Sequence, residues 1–226
     1  MPARPVPTSG GDQDGPTRRA YRSPLREEQV RATRRAVVAA AHDLFVELGY
    51  AAATVDAIAE RAGVSRKTVF TAVGGKAVLL DRALELALRG DEDHRPVSER
   101  PEIRAEAEET DPARLLHRWV RRMAVIERRV ARLALVIAVA ADSDPEVAAL
   151  HERSEKGRRY TAHAFAERLA EIGGLRAGVG VDRAEVVAAL VSEPLVYQRL
   201  VVEAGWTVAE YARWLEQTLA DALFPR

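Results

Sequence analysis

The sequence predicts an all-α protein, and three observations carry that reading. No stretch alternates apolar and polar residues in the two-residue rhythm of a half-buried strand. Apolar residues recur instead at three- and four-residue spacing, as on one face of a helix. The periodic segments open on Ser, Thr or Asp, in several cases with Pro next, and close on Gly. About nine helices result: three in an N-terminal unit built around a helix-turn-helix, the others in a larger C-terminal helical unit.

The elements follow in order. Residues 1–22 are rich in Pro, Gly, Ser and Asp and lack apolar periodicity, which predicts a disordered arm. Ser23-Pro24 starts a first helix that runs to about Leu48 and stops at Gly49. Its apolar face is Val37, Ala40, Ala41, Leu44, Phe45 and Leu48, and its polar front, residues 25–35, is solvated. Thr54 caps a second helix that Gly63 ends, and Ser65 caps a third that reaches roughly Ala72. After Gly74-Gly75 a fourth helix runs from Lys76 to about Arg89. Residues 90–111 are charged and unpatterned, so they read as a loop or frayed turn with the acidic run Glu106–Glu109 on its surface.

Asp111-Pro112 opens the next helix, with the stripe Leu115, Trp119, Met123, Ile126 and Val130. The run Leu133–Ala141 is apolar on every side and is expected to be buried all round. Asp144-Pro145 opens a long helix that ends at Gly173-Gly174. Four glycines in 173–181 predict a flexible connector. Asp182 caps a helix to about Ala204 with a kink at Pro194, and Thr207 caps a last helix to about Leu223. The organisation expected is an arm (1–22), a helix-turn-helix domain (23–75) and a C-terminal domain (76–226).

Residues 54–76, TVDAIAERAGVSRKTVFTAVGGK, carry the clearest chemistry. Two short helices at a steep angle about a tight turn present the second helix to a DNA major groove. Ala59 lies where the helices cross closest, and a large side chain there would push them apart. Gly63 takes the left-handed conformation of the turn. Ile58, Ala62, Val64 and Val69 close a small core. Asp56 sits near the positive end of its helix, and Ser65 caps the next with N–H groups left for a phosphate. Arg66, Lys67, Thr68 and Thr71 remain polar and point outward. The same small-residue spacing occurs in helical hairpins that never meet DNA. The polar outer face and the flanking pattern weigh towards the DNA reader.

Bulk composition excludes several alternatives. Without cysteine there are no disulfides, thiolate metal sites or cysteine nucleophiles. No signal-like segment opens the chain, and the longest apolar run is nine residues, too short to span a membrane; a cytoplasmic protein is expected. Net charge is zero, but residues 1–82 hold 13 basic side chains against 9 acidic, so the basic excess lies with the helix-turn-helix. Histidines at 42, 94, 117, 151 and 163 have no metal-ligand spacing, and GVGVD at 178–182 follows no strand, so no catalytic, metal or cofactor site is expected.

With its flanks, this segment resembles the tetracycline-repressor (TetR/AcrR) family of transcriptional regulators. The run AAHDLFVELGYAAATVDAIAERAGVSRKTVF and the trailing GGKAVLL carry the resemblance, within residues 33–80. It implies a homodimer on a near-palindromic double-stranded operator, more often a repressor, released by a small-molecule effector bound in the C-terminal domain. It makes Arg66, Lys67 and Thr68 recognition residues and puts Thr54 and Lys76 at phosphates, with Ser65, Phe70 and Thr71 on the same surface. Phe70 stands where the family commonly has Tyr, Ala72 where it often has His, and Gly75 where it has a capping Ser. Those departures weaken the expected backbone grip and keep open a second reading, an all-α small-molecule binder with a vestigial DNA domain. Arg18, Arg19, Arg22, Arg26 and Arg31 are candidates to restore the grip.

The C-terminal part gives two further expectations. EPLVYQRLVVEAGWTVAEYARWLEQTLADALF looks like the closing helices of many family members, which pack in a dimer. The penultimate helix spreads Val186, Val187, Leu190, Val191, Leu195, Leu200, Val201 and Val202 over more than one face, so it needs cover from two sides. Leu190, Leu195, Val201, Tyr211, Leu215 and Leu219 are the expected interface; an ordinary monomer core is the alternative. On the helix from 145 to 172, Val147, His151, Ser154, Arg158, Thr161 and Phe165 form a stripe with a polar middle. Facing inward, His151, Ser154, Arg158 and Thr161 would line a ligand pocket walled by Trp119, Met123 and Tyr160. The competing arrangement turns Leu150, Gly157 and Ala164 to the core.

Overall fold

The computed structural model describes residues 24–90 and 99–225. The expected arm, Arg18, Arg19 and Arg22 with it, the Ser23 cap and His94 lie outside those residues. Among the described residues every regular element is helical: α1 (Pro24–Ala52), α2 (Val55–Arg61), α3 (Arg66–Ala72), α4 (Lys76–Arg89), α5 (Pro101–Glu108), α6 (Pro112–Ala141), α7 (Pro145–Glu171), α8 (Val181–Val191), α9 (Pro194–Tyr197), a π-helical segment Gln198–Glu203, and α10 (Val208–Leu223). Among them no helix is long and apolar enough to cross a membrane.

The helix starts are set by side chains that satisfy otherwise unpaired N–H groups. Thr54 accepts from the Ala57 N–H, Ser65 from Thr68, Asp111 from Arg114, and Asp144 from Glu146 and Val147. Thr207 and Glu210 form a reciprocal capping box on α10. Gly49, at φ 77 and ψ 172, breaks α1 where the sequence placed a stop, and a last turn resumes beyond it. Leu48, expected on the apolar face, is exposed, and Tyr50 and Ala53 beyond the break take over its packing.

Two apolar cores result. One joins α1–α4 through Val37, Phe45, Ile58, Val69 and Leu79 and continues into Leu133, Ile137, Val147 and Leu150, where α6 and α7 meet. The other holds Leu115, Trp119, Ala166, Leu169, Ala188, Tyr211, Leu215 and Leu219. Each fully buried Leu or Ile there stabilises the fold by roughly 1.5–3 kcal/mol.

Several expectations need correction. The run Leu133–Ala141 is not buried all round: Leu133, Ile137 and Ala140 are, whereas Leu135 and Val139 reach solvent. Residues 101–108 form α5, not a loop; Pro101 opens it at a position where its missing N–H costs nothing. Glu106, expected on the surface, is buried, and accepts two hydrogen bonds from Arg122 of α6, at 2.7 and 2.8 Å. Glu109 accepts from the Asp111 and Thr110 N–H groups and from Arg114 and Arg118. Those donors, Asp111 first, hold its carboxyl down at about 2.

The glycine connector is tied down as well. The Arg176 N–H donates to the Leu223 carbonyl at 2.8 Å, and Gly174 is buried so closely that an added Cβ would lie 2.4 Å from Leu169 and 2.8 Å from Pro112. Gly180, not Asp182, occupies the cap position of α8, with Asp182 in the first turn. The kink at Pro194 is a full break, with Pro194 opening α9.

The expected interface splits. Tyr211, Leu215 and Leu219 lie inside the second core, because that stripe of α10 faces α6 and α8 of the same chain. Val201 is partly buried against the same core. Leu190 and Leu195 are exposed, and Val186 and Val202 are exposed with them.

Candidate nucleic-acid interface and central cavity

The turn at Gly63 (φ +67) sets α2 and α3 against each other over Ile58, Ala59 and Val69, all buried. That packing leaves Arg66, Lys67, Phe70 and Thr71 exposed along the outer side of α3. The Ser65 and Thr68 hydroxyls lie 2.8 Å apart at its start, and Thr71 donates to the Lys67 carbonyl. Arg66 donates to Asp56 across the turn at 2.5 Å, and its guanidinium lies 5.6 Å from the Phe70 ring centre. Both partners of the Arg66–Asp56 pair are solvent-exposed, so an exchange of Asp56 for another anion costs little.

Lys76 is placed differently from a splayed phosphate ligand. Its ammonium donates to the Ala51 carbonyl at 3.1 Å and sits 4.4 Å from the Tyr50 ring centre. Partial burial lowers its pKa, with Asp144 acting the other way. Tyr50 in turn donates to Asp144, the α7 cap, at 2.7 Å. Burial first, then that hydrogen bond, pushes the Tyr50 phenol up. Tyr50 and Asp144 thus bolt the end of α1 to the start of α7. Of the described arginines on the front of α1, Arg31 is paired with Glu28 and Arg26 is exposed.

A cavity of about 740 Å³ opens among α4, α5, α6, α7 and the start of α9. Ligand cavities commonly fall between about 300 and 1,000 Å³. Met123, His151, Ser154, Arg158 and Thr161 line it, so the polar stripe of α7 faces inward; Gly157 also reaches it, while Ala164 is exposed. Two expected wall residues are elsewhere. Trp119 is buried in the second core, stacked on Phe165 with ring centres 4.7 Å apart. Tyr160 is exposed, since it follows Arg158 by half a helical turn and points away from the lining. Leu195, expected at a subunit interface, also lines the cavity.

Glu127 was missed. It lies on α6, 3% exposed, on the cavity lining, and its Oε2 has no hydrogen-bond partner among the described residues. Burial pushes its pKa up to about 8; Arg158 opposes the shift, and Glu193 and Glu155 add to it. The available signal was position: Glu127 falls four residues after Met123, on the apolar side of α6.

Residues 37–83 match the family model of bacterial regulatory proteins, tetR family. The helix-turn-helix segment is of the TetR family. The uncharacterized HTH-type transcriptional regulator YdeS of Bacillus subtilis (strain 168) is 46% identical over 56 residues, which span 24% of this chain and 28% of YdeS. The TetR-family fold extends over the whole described structure. NalD, the secondary repressor of the MexAB-OprM multidrug efflux pump in Pseudomonas aeruginosa, superposes with a TM-score of 0.66 at 20% identity, over 87% of this chain and 98% of NalD. SmeT of Stenotrophomonas maltophilia, solved in complex with triclosan, superposes with a TM-score of 0.64 at 15% identity, over 86% of this chain and 92% of SmeT. At such identities the likeness speaks for the fold and leaves the side chains of head and cavity to be read from this chain itself.

Proposed function

We propose that this chain is a TetR-family transcriptional regulator that reads an operator with α3 and is controlled by a small molecule in the central cavity. The observation that carries the reading is the pairing of a basic and polar helix face, exposed Arg66, Lys67 and Thr71 with half-buried Thr68, with a separate inward-lined cavity in one fold. NalD is a repressor and SmeT was solved with a small molecule, which favours a ligand-controlled repressor. Arg66 and Lys67 read base edges, Thr54 and the α3 cap at Ser65 meet phosphates, and Lys76 reaches a phosphate after leaving Ala51. The units we propose are a DNA-binding domain over 23–75 and an effector and dimerisation domain over 76–226.

The dimer partner covers Val186, Leu190 and Val202. Val186 and Leu190 are exposed one turn apart on α8 and Val202 on the π-helical segment, and two-fold pairing of equal surfaces would cover them. A two-fold dimer places two α3 helices in successive major grooves of a near-palindrome. The cavity is coupled to the head because α4 follows the head directly and lines the cavity, while α7 lines it and holds Tyr50 through Asp144. A ligand shifts the population between DNA-competent and incompetent spacings of the heads.

The test is a mobility shift of the full chain on the DNA upstream of its own coding sequence. A sequence-selective complex that weakens steeply with salt is expected. Failure to discriminate that DNA from a shuffled duplex at any salt would leave the vestigial-domain reading in its place.

A further inference from the structure

We infer that the central cavity takes a ligand with an apolar body and a fixed positive charge, and that Glu127 is the counter-charge that meets it. The inference rests on the cavity reading above and adds the chemical class of the occupant.

The body of the site is apolar: Leu84, Met123, Ile126, Ile137 and Leu150 contribute to its lining from three different helices. Glu127 lies among them with an unpartnered carboxyl oxygen. An unpaired polar group in such surroundings costs free energy, and a site that keeps one has a use for it. The charges around it have the wrong balance for an anion. Arg158 is the nearby cation, but its Nη2 bonds Glu155 at 2.5 Å and its Nη1 donates to the Ala189 carbonyl. Glu155 therefore already offsets Arg158, and among the groups acting on Glu127 this leaves Glu193 as a second acid and no free cation.

The arginines elsewhere on the lining are committed too. Arg82 and Arg89 donate to Glu85, Arg122 to Glu106, Arg100 to the Arg89 carbonyl and Arg129 to the Leu88 carbonyl, and Arg153 pairs with Asp81. A carboxylate ligand would gain no ion pair from Glu127, would hold that carboxyl protonated, and would meet Glu193 nearby, which is repulsive. A cation there gains attraction and gives Glu127 the partner it lacks.

Protons keep the account in balance. With burial holding its pKa near 8, Glu127 is mostly a neutral carboxyl at neutral pH. The groups acting on it are Arg158 and Glu155 from α7 and Glu193 from the α8–α9 link, with Tyr211 of α10 and Tyr197 of α9 close enough to feel its charge. A permanent cation stabilises the carboxylate, so the carboxyl proton leaves to buffer as the ion pair forms. The ligand carries no transferable proton and no bond within it changes.

The experiment is calorimetry on the full chain at neutral pH with three probes of equal chain length: decyltrimethylammonium, decanol and decanoate. It is run in two buffers of different ionisation enthalpy. The cation is expected to bind at least about tenfold more tightly than decanol, with proton release that decanol does not show, a difference of ~1.4 kcal/mol. Glu127→Gln should bring the cation down to the level of decanol, abolish the proton release and leave decanol unchanged. Tightest binding of decanoate, equal cation affinity in wild type and Glu127→Gln, or no binding of any probe overturns the inference. Its failure is separable from failure of the effector reading. Glu127-dependent cation binding with no change in DNA affinity would uphold the ligand class and remove the effector role. DNA binding that responds to another class of ligand would do the reverse.

Discussion

The head and the cavity keep their charged side chains under opposite conditions. On the head, Arg66, Asp56 and Lys67 stand in water, and the Arg66–Asp56 pair is exposed on both sides. In the cavity, Glu127 is out of water and Arg158 is largely out of it, held by Glu155 and a backbone carbonyl. Exposed charges are inexpensive to keep and can turn to a polyanion as it arrives. A buried carboxyl is costly to keep and responds strongly to whatever enters. One region is thus fit for a large, uniformly charged partner, the other for a small one that must supply a missing contact. Tyr50 and Asp144 join the end of α1 to the start of α7, the helix that carries Arg158.

The largest expected effect would break the head while sparing the cavity. Ile58→Ala removes a fully buried side chain at the α2–α3 contact and should cost about 2–5 kcal/mol by urea unfolding. Operator affinity should fall with it, while decyltrimethylammonium affinity, measured where the variant is folded, should hold.

The next prediction concerns the cavity alone. Glu127 has a folded-state pKa of about 8 against an ordinary 4.5, so the folded chain binds the extra proton between those values. Its stability contribution is therefore eroded as pH rises through that window. Glu127→Gln has no such loss. The gap in Tm between variant and wild type should widen from pH 5 to pH 8 in the variant's favour; a constant gap would mean that the carboxyl is not desolvated.

Lys67→Ala probes the head without touching its core. It should cost roughly 1–3 kcal/mol on the preferred site and relax the choice at one position. Uniform weakening on all duplexes would reassign Lys67 to a phosphate. The smallest effect is Tyr50→Phe, which removes the bond to Asp144 at 2.7 Å. A stability loss of about 0.5–1.5 kcal/mol is expected. The informative readout is the ligand's effect on DNA affinity, which should shrink if that bond transmits it.

The head was legible from sequence because its geometry is local. Thr54, Ala59, Gly63 and Ser65 are fixed by capping, close approach and a left-handed turn, all within a dozen residues. What the sequence could not show there was commitment: Arg66 to Asp56, and Lys76 to Ala51 and the Tyr50 ring. The α7 stripe was legible by periodicity, and Met123 with it. Trp119, Tyr160 and Tyr211 were misplaced because spacing groups residues on one face without saying what that face meets. On α10 one stripe could serve a subunit interface or a monomer core, and only the packing on α6 and α8 assigned it to the core. Glu127 and the Glu106–Arg122 clasp were hidden for a similar reason, since acids on a helix read as solvated until another helix is laid over them.

The central claim is that cavity occupancy sets the affinity of the head. The most direct measurement is fluorescence anisotropy of the full chain on its own upstream duplex, with and without decyltrimethylammonium at a concentration shown by calorimetry to fill the cavity. We predict a loss of affinity of at least about fivefold, the lower end of ordinary coupling between sites, and no loss in Glu127→Gln. Unchanged affinity in the wild type with the cavity filled would contradict the account.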